Sequence, residues 1–264
     1  MVSARQGDVY VLGSSHRCGM STCTRSFVLF HYLADGRRDD SFAGSGALAL
    51  PESALGYSIS VDEEGRPLAA AIGPGAVVVR RYTAGGQVDA GFGGDGSVDV
   101  PCACEEAEVT VTPARGRRLL VAAGGPTAES NRQRPSSQLA LTRLLSDGSL
   151  DSGFGSNGTV SLRLGGVAQP GPLAVSGRGA VLLAGSGCCT ASNTYAIRVS
   201  ARGRVDTKFG ATVRRALRRL SGFGDFPEVR SVLPRGDGMI DMVGTSQFDH
   251  GFDLRLRANG RLAA

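Results

Sequence analysis

The chain repeats one phrase five times. YLADGRRDDSFAGSGAL, YTAGGQVDAGFGGDGSV, LLSDGSLDSGFGSNGTV, VSARGRVDTKFGATV and RLRANGRLAA are versions of it, with marker glycines at Gly36, Gly86, Gly148, Gly203 and Gly260. A repeat of this length is one supersecondary unit that cannot bury its own apolar faces, so neighbours must stack. The feature constrains architecture far more than chemistry.

The second unit shows the plan. YSISVDEEG alternates and ends in a turn at Gly65, RPLAAAIG is an apolar run, AVVVRRYTAGG closes on a glycine turn, and SVDV follows a long connection. Short Val- and Thr-bearing runs bounded by glycine turns read as strands, here A, B, C and D. The other units align with this one, so the expected fold class is all-β: a β-propeller of four-stranded antiparallel blades, about five of them, with incomplete terminal blades. The units run approximately 1–50, 51–101, 102–164, 165–220 and 221–264, in a single domain.

The phrase has a mechanical reading. Its glycine pairs supply the positive φ of a tight turn. Asp39, Asp89, Asp151 and Asp206 can accept backbone N–H groups and start one helical turn. Phe42, Phe92, Phe154 and Phe209 are expected to insert between adjacent blades. Each aspartate sits in its own blade, so the row is read as turn chemistry and not as a catalytic or calcium set. The fourth copy lacks the second glycine turn, which predicts an irregular C–D connection there.

LSDGSLDSGFGSNGTV, paired with LAVSGRGAVLLAG, resembles the delta-60 β-propeller repeat of bacterial secreted and surface proteins, over nearly the whole chain. The resemblance implies a propeller and an extracytoplasmic setting. It implies no activity and no catalytic residue to carry over.

Aligning Gly7 with Gly65, Gly116, Gly179 and Gly238 puts Met1 inside the first strand A, while the last unit stops before a strand D. Five A, B and C strands but four D strands are expected. Two readings stay open: a segment of a longer array with a secretion signal upstream, or five blades closing around a three-stranded last blade. The first is preferred because an interior-strand start leaves pairing groups unsatisfied.

A–B and C–D turns share one face of such a ring and carry the phrase. B–C and D–A loops share the other and carry the sequence variation, where function generally sits. All six cysteines fall there: Cys18 and Cys23, Cys102 and Cys104, Cys188 and Cys189. They are candidate disulfides of an oxidising compartment, with connectivity unreadable from sequence. A sharper alternative is a zinc or copper site of His16, Cys18 and Cys23 with Asp249 and His250 from the fifth unit. No motif implies a cofactor.

Lys208 is the sole lysine, and arginines are interleaved with acidic residues, which points away from nucleic acid. The one basic cluster, VRRALRRL, is read as an exposed outer strand whose charges discourage edge pairing. No apolar run is long enough to cross a bilayer. His31, after FVLF, reads as a packed or surface strand residue, and no G-x-S-x-G, H-E-x-x-H or phosphate loop occurs in a suitable context. The expectation is a non-catalytic, secreted or cell-surface module that binds a protein or glycan through its variable loops. An extracytoplasmic hydrolase or lyase, or a metal-binding propeller with its site at the channel mouth, is the alternative. Oligomeric state is not readable.

Overall fold

A computed structural model describes residues 1–3, 7–18, 23–51, 57–73, 75–102, 108–127, 130, 136–165, 169–186, 194–220, 228–245 and 251–263. The described chain is all-β apart from one α-helix and short 3-10 turns. Its strands form five antiparallel sheets in chain order. The first holds β1 (Val2–Ser3), β2 (Val9–Cys18), β3 (Cys23–Tyr32) and β4 (Ala47–Leu50). The second holds β5 (Tyr57–Val61), β6 (Pro67–Gly73), β7 (Ala76–Arg81) and β8 (Ser97–Pro101). The third holds β9 (Glu108–Ala114), β10 (Arg118–Pro126), β11 (Ser136–Leu144) and β12 (Thr159–Gly165). The fourth has β13 (Gln169–Val175), β14 (Val181–Ser186) and β15 (Tyr195–Val199), and the fifth β16 (Glu228–Pro234), β17 (Ile240–Thr245) and β18 (Gly251–Leu256). Each is a simple meander, with sequential strands paired.

The first strands of successive sheets approach one another, β1 to β5, β5 to β9, β9 to β13 and β13 to β16. Among the described residues no comparable contact joins β16 to β1. Sheets stack through their faces, and β10 shows how. Leu119, Val121 and Ala123 face the second sheet's Leu68, Ala70, Ile72 and Val79. Leu120 and Ala122 face the fourth sheet's Val181, Leu183, Ile197 and Val199. A strand covered on both faces reads as a continuous apolar run, which is why β6 and β10 lack period-two alternation. Strand β7, with one face less covered, alternates.

The fourth unit departs from expectation. Its basic segment is not an outer strand but part of an α-helix, α1 (Thr207–Leu220), lying along β15. Three outer D strands, β4, β8 and β12, therefore stand where four were expected, among the described residues. Two local causes act together. Gly46, Gly96 and Gly158 turn the other units back toward a strand at φ of 74, 86 and 89°. The matching position here is Val213, whose branched Cβ excludes that conformation. Phe209, Val213, Ala216 and Leu217 recur at helical spacing and are buried. Asp206 Oδ1 accepts the Phe209 N–H at 3.0 Å and caps the helix start. The buried stripe packs against Leu182, Ala184, Ile240 and Met242, while Arg214 and Arg215 stay exposed.

Candidate functional site

The phrase end of the molecule is built from one repeated joint. In the third unit Arg143 Nε donates to Asp151 Oδ2 at 2.9 Å, and its Nη1 donates to the Ala201 carbonyl of the fourth unit at 2.6 Å. Its guanidinium carbon lies 4.5 Å from the centre of the Phe154 ring. The second unit repeats this with Arg81, Asp89 (2.8 Å), the Ser146 carbonyl of the third unit (2.6 Å) and Phe92 (4.7 Å). The fourth does so with Arg198, Asp206, the Ala258 carbonyl of the fifth unit and Phe209. The other oxygen of each aspartate accepts a backbone N–H: Gly91 on Asp89, Gly153 on Asp151, Phe209 on Asp206.

A backbone bond seals each of the first three junctions along the chain. Ala43 N–H reaches the Gly85 carbonyl at 2.9 Å, Gly93 the Asp147 carbonyl at 2.8 Å, and Gly155 the Arg202 carbonyl at 3.1 Å. The marker glycine of the receiving unit lies under this joint. A Cβ on Gly86 would stand 2.9 Å from Phe42 and from Ala43 N, and one on Gly148 would stand 2.5 Å from Val98. One on Gly203 would stand 2.2 Å from Gly155 N. The glycine serves close approach as much as the turn.

The first unit solves the same problem with other residues. His31 holds the arginine's place and bonds Asp39 Oδ2 from Nδ1 at 2.9 Å, with Asp8 Oδ2 3.7 Å from Nε2. Imidazole is too short to span the junction. Tyr10 stacks on it at 4.5 Å and sends its hydroxyl to the Ala84 carbonyl at 3.3 Å, the carbonyl equivalent to those of Ser146, Ala201 and Ala258. Burial, with Asp8 and Asp39 nearby, pushes the Tyr10 phenol up to about 12. In the fifth unit Ala263 occupies the aspartate position, and Asp241 of β17 takes the ion pairs from Arg255 (2.9 Å) and Arg235 (3.0 Å).

These contacts decide what the aspartates can do. The Ser41 hydroxyl and His31 hold Asp39 down to about 2. The Arg198 bond lowers Asp206, and the Arg255 bond lowers Asp241. For Asp89 and Asp151 burial acts upward, but the bonds and charges of Arg81 and Arg143 win and the carboxyls sit low. A carboxylate held down in this way, its oxygens already taken by cationic, hydroxyl or amide donors, is a poor proton acceptor near neutral pH. His31 is enclosed: Nδ1 is bonded to Asp39, Nε2 lies 3.7 Å from Asp8, and the ring sits between Tyr10 and Phe42.

The opposite end carries the other sequence candidates. Cys18 and Cys23 stand opposite each other at the tip of the β2–β3 hairpin, and His16 pairs with Arg25 two steps inward. Cys18 and Cys102 are each in a disulfide, and Cys102 is buried just after β8. A disulfide sulfur is not a thiolate ligand, so zinc or copper cannot use Cys18 in this state. The side chains of His16 and Cys23, and the whole of Cys104, Cys188, Cys189, Asp249 and His250, lie outside the described residues. Among the described residues no group of three His, Cys, Asp or Glu is placed to hold a metal.

The arginine of the joint was missed by sequence reasoning, although its signal was there. Five residues before each marker glycine stand His31, Arg81, Arg143, Arg198 and Arg255. Aligning on the glycine and reading backwards into strand C exposes the column. The Tyr10 substitution had no such signal, since it appears only once the junction is seen in space.

Neither a protein-family model nor a curated protein matches the sequence. Solved structures with a partial likeness include the subtype N10 neuraminidase-like protein of A/little yellow-shouldered bat/Guatemala, at 9% identity and TM-score 0.41, covering 76% of this chain and 62% of that one. Puromycin hydrolase gives 13% identity and TM-score 0.42 over 99% of this chain and 45% of its own. A triple arginine-to-alanine mutant of AofleA from Arthrobotrys oligospora gives 8% and 0.32, over 99% and 90%. The chain thus spans about three-fifths of the first and under half of the second. At such identity and superposition none of the three carries an argument about fold or activity.

Proposed function

We propose that the chain is a propeller-type scaffold of the delta-60 repeat kind. In this reading it binds a protein or glycan, without chemistry, through the loops between second and third strands and between successive sheets. One observation carries this reading. The residues that recur in register, Arg, Asp and Phe with the marker glycine, are consumed in joining each sheet to the next at one end. That joint fixes the phrase end to one sequence, while the other end is free to vary, as recognition loops on a rigid frame do. The disulfides of Cys18 and Cys102 support an oxidising, extracytoplasmic setting. No helix among the described residues is long and apolar enough to cross a membrane.

The test is to probe a glycan array and a protein microarray with the fluorescently labelled chain, and then with a variant whose residues 127–136 are replaced by the short Gly-Pro-Gly of the second unit. The reading expects a ligand whose signal falls at least tenfold in the variant, at unchanged melting temperature. Release of new reducing ends from array glycans would favour a hydrolase or lyase instead.

A further inference from the structure

The joints point in one direction, each unit gripping the turn of the unit after it. Four receiving turns are filled. Their carbonyls at Ala84, Ser146, Ala201 and Ala258 accept from Tyr10, Arg81, Arg143 and Arg198. Beneath them Gly86, Gly148, Gly203 and Gly260 have neighbours crowding the place of a Cβ at 2.9, 2.5, 2.2 and 3.1 Å. The fifth copy of this turn, in the first unit, is built the same way. Gly36 takes φ 83° and its N–H closes on the Leu33 carbonyl at 2.8 Å, as Gly86 does on Thr83 at 2.9 Å. Yet nothing described lies within 4 Å of a Cβ there, and no described donor reaches the Ala34 carbonyl. Residues 34 to 38 are exposed beside a depression of about 640 Å³ lined by Leu33, Arg37, Arg38 and Asp40.

The geometry points to this turn as a docking surface for a further repeat unit, one carrying the complete arginine, aspartate and phenylalanine set. The occupant is specified by the four filled copies. It must bring a guanidinium or hydroxyl donor to the Ala34 carbonyl, a backbone N–H to the Asp35 carbonyl, and an aromatic ring against Gly36. The fifth unit of this chain does not match that description. Ala263 stands at its aspartate position, and Arg255, about half exposed, is turned onto Asp241. A second copy of the chain does not match it either, because its complete phrases are engaged with their own successors. What fits is one more unit stacked by the same nearest-neighbour rule as the rest.

Glycine-to-asparagine substitutions test this, since Asn tolerates positive φ but adds a Cβ. In the chain as it stands, Gly148→Asn is expected to lower the melting temperature by about 5 °C or more and Gly36→Asn by less than about 2 °C. Equal losses would mean that Gly36 is already covered, and would overturn the inference. The second arm places an extra copy of residues 108–168 ahead of Met1. The expected result is one unfolding transition at higher temperature, a Gly36→Asn loss now matching that of Gly148→Asn, and loss of the gain when Arg143→Ala is made in the added copy alone. An unchanged transition and an unchanged Gly36→Asn response would overturn the inference. So would a concentration-dependent dimer of the original chain that Gly36→Asn dissolves, which would assign the surface to self-association.

Discussion

Arg143 in the third unit donates to the carbonyl of Ala201 in the fourth, 2.6 Å away, while the same guanidinium holds Asp151 and covers Phe154. One side chain thus ties a strand to its own connection and that connection to the next sheet. Ion pairs taken out of water give little net stability as pairs. Their value here is geometric, because the planar fork reaches an anion and a neutral carbonyl at once.

Removing such a guanidinium leaves the neighbouring carbonyl without its donor and the carboxylate with weaker pairing. Arg81, 4% exposed at the side chain, is the most enclosed case, and there Asp89 keeps Arg66 at 3.2 Å. Arg81→Ala is expected to cost about 1–3 kcal/mol in urea unfolding. Arg81→Lys should recover only part of it, since an ammonium cannot serve Asp89 and the Ser146 carbonyl in the same fork. Full recovery by lysine would reduce the joint to simple charge.

Two glycines of the phrase separate crowding from backbone strain. A Cβ on Gly155, at φ 60°, would stand 2.3 Å from the Thr159 carbonyl oxygen. Gly44, at φ 76°, has nothing described within 4 Å. Gly44→Ala is expected to cost about 1–2 kcal/mol from the left-handed backbone alone, and Gly155→Ala more than about 4 kcal/mol. Thermal unfolding of the two variants side by side measures the difference.

Acid should loosen the joints together. Asp39 sits at about 2 when folded, below an unfolded carboxyl near ~3.9, so its contribution is complete above pH ~4. As pH falls through the folded value the proton binds, the Ser41 and His31 contacts lose their anion, and the contribution disappears. Asp206 and Asp241, also lowered, act in the same sense. Unfolding midpoints should be flat from neutral pH to about 4 and drop between about 4 and 2. Asp39→Asn should shrink that drop.

Helix α1 divides cleanly into two faces. Leu217, 2% exposed, belongs to the core with Leu182 and Met242, so Leu217→Ala is expected to cost about 2–5 kcal/mol. Arg214 is exposed, and Arg214→Glu should stay within about 0.5 kcal/mol. Equal effects would restore the outer-strand reading of this segment.

The marker glycines made five units of paired strands legible, because a turn that demands positive φ leaves a residue-type signature. The helix was hidden by that same regularity. Reading VRRALRRL as a fourth outer strand followed the repeat, when the exchange of a turn glycine for Val213 had removed the reason for a strand. Asp39 and its equivalents were visible as a column but their partners were not, since Arg143 and Asp151 lie on opposite sides of a turn and Ala201 belongs to another unit. His31 reads in sequence as an isolated strand residue, because Tyr10, which completes its reach to Ala84, meets it only in space. Backbone register places Cys18 opposite Cys23.

The central claim is that the two ends of the molecule divide the labour, the phrase end joining sheets and the variable loops binding. The most direct measurement compares Asp151→Asn with replacement of residues 127–136 in one experiment, recording melting temperature and array binding of each labelled protein. The account predicts that Asp151→Asn lowers the melting temperature and leaves the binding profile intact, while the loop replacement does the reverse. Loss of binding, or of any glycan turnover, in Asp151→Asn at an unchanged melting temperature would contradict it.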